Sequence, residues 1–221
     1  MASGSLVIVS PVALTPRVHD IITKHGGKVD YIVAPDLEHH IFLSAWKSAF
    51  PGASIIAPEG LYEKRQKSPE YQSDPFEYVY TKENKHSLRI AGDFHSEFEV
   101  EYVDGHSNRE IVLWHKPTRT VIEADLVFNL PATEQYSQSG ESPTAGLLNR
   151  LFMPLITATP STWHERFAWH VLSSQDRDSF TESLGRIKEW DFSRIIPCHG
   201  DVIEDGAKEV FTRIFARFWN R

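Results

Sequence analysis

Tyr31-Ile32-Val33-Ala34-Pro35-Asp36-Leu37-Glu38-His39-His40 joins a short apolar, β-branched run to a stretch crowded with acids and imidazoles. The run, Tyr31 to Ala34, reads as a buried strand, and Pro35 opens a loop. Loops just past strand ends are where α/β folds place their ligands. The flanking sequence repeats the unit. Leu6 to Ser10 reads as a strand, after which Thr15 and Pro16 start a helix striped by Val18, Ile21 and Ile22 and stopped by Gly26-Gly27. On the other side, Phe42, Trp46 and Phe50 at helical spacing predict a helix from His39 to Phe50, and Ser54 to Ala57 reads as a third strand. Strand and helix thus alternate twice, as stacked βα units do.

The pattern then changes. Pro58 to Asp93 is polar, carries the charge run Lys64-Arg65-Gln66-Lys67, and reads as a surface insertion with a solvated face. Phe98 to Val103, Arg109 to His115 and Thr120 to Asp125 read as antiparallel strands, the last two joined by a turn at Lys116-Pro117-Thr118-Arg119. Pro131 to Pro143 is a loop by composition. Helices are expected over Ala145 to Ile156, Thr162 to Leu172 and Asp176 to Trp190, then a strand over Arg194 to Cys198 and a closing amphipathic helix through Val210, Ile214 and Phe218. No repeat or linker interrupts the chain, so one domain spanning residues 1–221 is expected.

Composition narrows the function. Lys and Arg number 23 against 30 Asp and Glu, a formal charge of −7, which argues against nucleic acid or anionic membrane as partners. No segment approaches the roughly 18–20 continuous apolar residues of a membrane span. Cys198 is the only cysteine, so no intramolecular disulfide forms and a cytoplasmic location is expected. A small-molecule substrate remains.

Four acid and imidazole clusters follow strands: Asp36 to His40, Asp104-Gly105-His106, Glu123-Ala124-Asp125, and Cys198-His199-Gly200-Asp201. A single cluster of this kind is more often a cap or a solvated loop than a ligand set. Taken in order, the four resemble the metallo-β-lactamase superfamily, in which a strand leads into H-x-H-x-D-H, followed by a Gly-His, a strand-ending Asp and a late Gly-flanked His. The resemblance runs from Leu6 to the end and points to a little-characterised branch. It implies an α/β (α+β) chain folded as a four-layered αββα sandwich. It also implies a metal site drawn from Asp36, Glu38, His39, His106, Asp125 and His199, with Asp125 or Asp36 as the proton relay.

The departures from that motif are chemical. Ala34, Asp36 and Glu38 stand where the family has His, His and Asp, and a methyl group binds no metal. One ion is therefore expected instead of two. Imidazole with carboxylate suits zinc, and iron or manganese are alternatives because oxygen ligands weaken the preference for zinc. The implied activity is hydrolysis of an ester, lactone or thioester by a metal-bound hydroxide. A decayed binding or structural protein and a non-haem iron enzyme are the competing readings. His40 adds an ambiguity, since adjacent helical residues point about 100° apart and do not easily reach one metal together unless the helix begins after them. The family also places an extra strand pair before the segment matching Leu6; here it is nearly absent, exposing an edge that a homodimer would cover. Ser137, Ser139 and Ser142 lack the Gly-x-Ser-x-Gly context of a nucleophile elbow, Ser107 reads as a turn residue instead of a nucleophile, and His164 and His170, about 240° apart on a helix, read as structural.

Overall fold

The structure is a computed structural model describing residues 1–71, 74–145, 153, 156–159 and 162–219. The chain divides into two compact units, Met1–Phe98 and Glu99–Arg221.

The first unit carries a parallel sheet in the order β1-β2-β3-β4, formed by Leu6–Val9, Val29–Val33, Ser54–Pro58 and Tyr78–Tyr80. Thr15 caps α1 (Pro16–Lys24) by accepting the Val18 N–H, with Pro16 in the first turn. Ile32, Ala34, Ile55 and Ala57 cluster with Ile22 of α1, with Leu43 and Trp46 of α2 (Leu43–Ala49) and with Leu61 of α3 (Leu61–Gln66), forming the core of this unit. The helix expected from His39 begins only at Leu43, because the Asp36 carboxylate takes the N–H groups of Glu38 and His39 and holds them in a loop. A second correction falls on Pro58 to Asp93. This stretch supplies α3 and β4, and Arg65 is 1% exposed although its charge run reads as solvated. A short α4 (Phe94–Glu97) leads into β5 (Phe98–Val103).

The second sheet has the order β5-β6-β7-β8, with β6 at Glu110–His115, β7 at Thr120–Ile122 and β8 at Arg194–Ile196. β6 and β7 are antiparallel, and Arg119 closes their turn in the left-handed region at φ 53°. β7 and β8 are parallel. A helical turn, α5 (Thr133–Tyr136), interrupts the loop read over Pro131 to Pro143. The helix expected over Ala145 to Ile156 lies largely outside the described residues. α6 (Thr162–Phe167) runs into a π-helical turn over Ala168–Leu172, and α7 (Arg177–Glu189) is capped by Asp176. The closing helix is two, α8 (Ala207–Ile214) and α9 (Ala216–Trp219). Phe180, Phe211, Phe215 and Phe218 stack against one another at 4.7–6.0 Å between ring centroids and anchor these helices in the unit's core. Among the described residues no helix is long and apolar enough to cross a membrane.

Two glycines let backbones approach where the candidate histidines sit. A Cβ on Gly105 would lie 2.1 Å from the Asp176 carbonyl, and one on Gly200, at φ 113°, would lie 2.2 Å from the Asn129 carbonyl. Neither neighbour is a movable side chain. Gly105→Ala and Gly200→Ala are each expected to lower stability by at least about 2 kcal/mol in denaturant unfolding, whereas Gly185→Ala, which meets nothing within 4 Å, should not.

Candidate metal centre

In the first unit the loop carrying Asp36 to His40 leaves β2 through Ala34, whose methyl group packs in the core, so the position where the resemblance has its first histidine holds no donor. Asp36 is fully buried and saturated by its own loop. Its Oδ1 accepts the N–H of Glu38 at 2.8 Å and of His39 at 2.7 Å, and its two oxygens lie 3.0 and 2.9 Å from His39 Nδ1. A carboxylate can only accept, so His39 Nδ1 carries a proton, and the neutral ring then has its lone pair on Nε2. Glu38 turns outward to Lys64 at 2.8 Å, its side chain 59% exposed. His40 is buried against Arg65, and burial, then the Arg65 charge, push its pKa below the ordinary imidazole value.

In the second unit Glu110 on β6 accepts the N–H groups of Ala124 and Asp125, both at 2.9 Å, and Glu123 accepts those of Leu126 and Val127 at 2.8 and 3.1 Å. Both carboxylates are buried, and between them they shape the turn that presents Asp125. Asn108 donates to Asp125 Oδ2 at 2.7 Å, and His199 Nε2 lies 3.2 Å from Oδ1. The His199 ring stacks flat on Phe128, centroids 5.7 Å apart and planes 5° apart, while its backbone C=O accepts the Asn129 N–H. Phe128 in turn meets His164 and Phe167 edge-on. His106 is fully buried: Nδ1 accepts the Asn108 N–H at 3.1 Å, Nε2 lies 3.9 Å from Glu110, and the ring lies parallel to Phe180.

Each unit therefore gathers part of the expected set: Asp36 with His39 in the first, Asp125 with His199 in the second. His106 lies beside Glu110, which holds the Asp125 backbone. Sequence reasoning missed Asn108, Glu110, Phe128 and Arg65. Only Glu110 left a trace, as an acid opening the apolar run Ile111 to Trp114.

The family model described as "Domain of unknown function (DUF4336)" matches residues 1–149. The chain belongs to this family. No curated protein matches it in sequence. Among solved structures it is similar to the DIM-1 metallo-β-lactamase, with a TM-score of 0.53, 16% identity, and coverage of 98% of this chain and 85% of that one. It is also similar to the chemotaxis sensor ODP, described as a peroxy diiron species, with a TM-score of 0.56, 13% identity, and coverage of 99% and 83%. A third is FIM-1 from Pseudomonas aeruginosa in its mono-zinc form, with a TM-score of 0.52, 14% identity, and coverage of 97% and 78%. The DUF4336 chain has the metallo-β-lactamase fold, as the order of its four clusters implies.

His164 offers a check on the second unit. Burial lowers its pKa, with the Thr157 carbonyl at 3.0 Å opposing only in part. The unfolded chain takes up a proton near the ordinary value of about 6.5 that the folded protein resists. Its contribution is therefore fully present above pH 6.5 and is lost as the pH falls below it. His164→Asn, whose amide still donates to Thr157, is expected to flatten the loss of unfolding free energy between pH 6.5 and 5 by up to about 1.4 kcal/mol per pH unit. Parallel slopes for both proteins would show that His164 is not held neutral.

Proposed function

We propose that this DUF4336 chain is a single-metal hydrolase in which His39, Asp125 and His199 hold one ion and an ester, lactone or thioester is cleaved. Each of the three can offer one ligand atom, an imidazole nitrogen or a carboxylate oxygen, and two imidazoles with one carboxylate is the three-ligand set of a catalytic zinc with an open position. The observation that carries the reading is the carboxylate behind His39. Asp36 on Nδ1 fixes the tautomer and raises the basicity of Nε2, the arrangement characteristic of metal-ligating histidines. The donors thus fit an ion, and Ala34 in the core argues for one ion over two. When bound, the metal supplies Lewis acidity toward a carbonyl and an acidified water.

The protein's own groups divide the remaining work. Asp125 is the proton acceptor, its Oδ2 held by Asn108, and it passes the proton to the leaving oxygen or sulfur. Asp36, engaged by its own loop, orients His39 instead of relaying protons. Phe128 fixes the plane of His199. Glu110 and His106 support the Asp125 turn from behind.

Zinc is the proposed ion. A second reading is non-haem iron, since the diiron sensor carries the same fold. Elemental analysis of protein purified without added metal should find about one equivalent per chain, and its identity separates the two readings. Asp125→Ala is expected to lose the metal and to lower turnover on a panel of activated esters, lactones and thioesters by more than about 100-fold, while exposed His19→Ala changes neither. Two equivalents of metal, or an Asp125→Ala protein that retains its ion and its turnover, would overturn the proposal.

A further inference from the structure

His39 and His40 are adjacent imidazoles on one loop, and a single ion takes only one of them. We infer that Arg65 is the positioning residue that settles the choice, by holding His40 in the tautomer that cannot bind a metal from Nδ1 or Nε2. The inference rests on the metal site proposed above and names what selects its ligand.

Arg65 grips His40 at two points. Nη1 donates to the ring Nδ1 at 3.0 Å and to the backbone carbonyl at 2.8 Å. Nη2 donates to Ser44 Oγ at 2.6 Å and to the Asp74 carboxylate, and Ser44 Oγ donates to the same carboxylate at 2.5 Å. The guanidinium lies 4.4 Å over the Tyr71 ring, whose neighbour edge-on is His40 itself. A buried cation with its partner removed is strongly destabilising; with Asp74 as counter-charge the fork is fixed in place.

Tautomer chemistry then separates the neighbours. Guanidinium is a donor with no acceptor, so it requires the Nδ1 lone pair of His40 and leaves the proton on Nε2. Neither nitrogen of that ring offers a lone pair to an ion. Carboxylate is an acceptor with no donor, so Asp36 places the proton of His39 on Nδ1 and the lone pair on Nε2. Opposite partners on consecutive residues thus give opposite tautomers, and only His39 presents a ligand.

Two measurements on the full-length protein test this. The first uses metal-free protein labelled with 15N in histidine: long-range correlation spectra are expected to show His40 protonated on Nε2 and His39 on Nδ1, and His40 protonated on Nδ1 would overturn the inference. The second is Co(II) affinity by chelator competition, with the visible spectrum of the Co(II) form. His40→Asn, whose carbonyl replaces the Nδ1 acceptor, should bind Co(II) within about twofold of the parent, and Arg65→Gln with Asp74→Asn, which removes both charges together, should bind at least about tenfold more weakly with an altered spectrum. Loss of Co(II) binding in His40→Asn but not in His39→Asn would overturn the assignment, as would an unchanged affinity and spectrum in the double variant. Should that variant not fold, the His39→Asn and His40→Asn comparison decides alone. A parent protein that takes no Co(II) sinks the metal reading, and the tautomer spectra still decide the role of Arg65.

Discussion

Buried carboxylates that accept backbone N–H groups set the shape of the two loops that carry His39 and Asp125. Asp36 gathers the N–H groups of Glu38 and His39, Glu110 those of Ala124 and Asp125, and Glu123 those of Leu126 and Val127. Each of the three is almost completely shielded from water. Hydrogen bonds to a charged acceptor contribute roughly 1.5–3 kcal/mol, and a buried carboxylate stripped of its donors costs more than that. The loops therefore have one low-energy course, and His39 and Asp125 project from fixed backbones.

Aromatic and guanidinium groups act on the histidines that follow. Phe128 sets the plane of His199 from one face, and Arg65 draws His40 into the core of the first unit. None of these groups is itself a proposed ligand. Each limits the orientations open to an imidazole, which is the property a metal site requires of its surroundings.

Much of this was legible in the sequence, for reasons that differ by element. β1 to β3 and α1 declare themselves through local signals: β-branched runs, Thr15-Pro16, and the paired glycines at 26 and 27. The four clusters were visible because their acids and imidazoles follow strands in the order the resemblance names. What escaped was whatever depends on a partner far along the chain. Arg65 sits in a run of charges, and nothing local reveals that Asp74, His40 and Ser44 enclose it. Asn108 and Glu110 serve Asp125 from 17 and 15 residues away. The start of α2 was misplaced because helical periodicity through Phe42, Trp46 and Phe50 extends backward to His39 in pattern, while the Asp36 side chain competes for the same N–H groups.

The methyl group of Ala34 limits what the fold can accept at the end of β2. It belongs to the same buried cluster as Ile32, Ile55 and Leu43 and has no exposed surface, so a histidine at this position would force bulk into a closed core and cost stability before any ion could compensate. Placing a metal donor there would require neighbouring residues to shrink with it. A small residue packed at such a strand end thus behaves as a ratchet: exchanging a larger side chain for it frees space, and reversing the exchange demands that the neighbours give way.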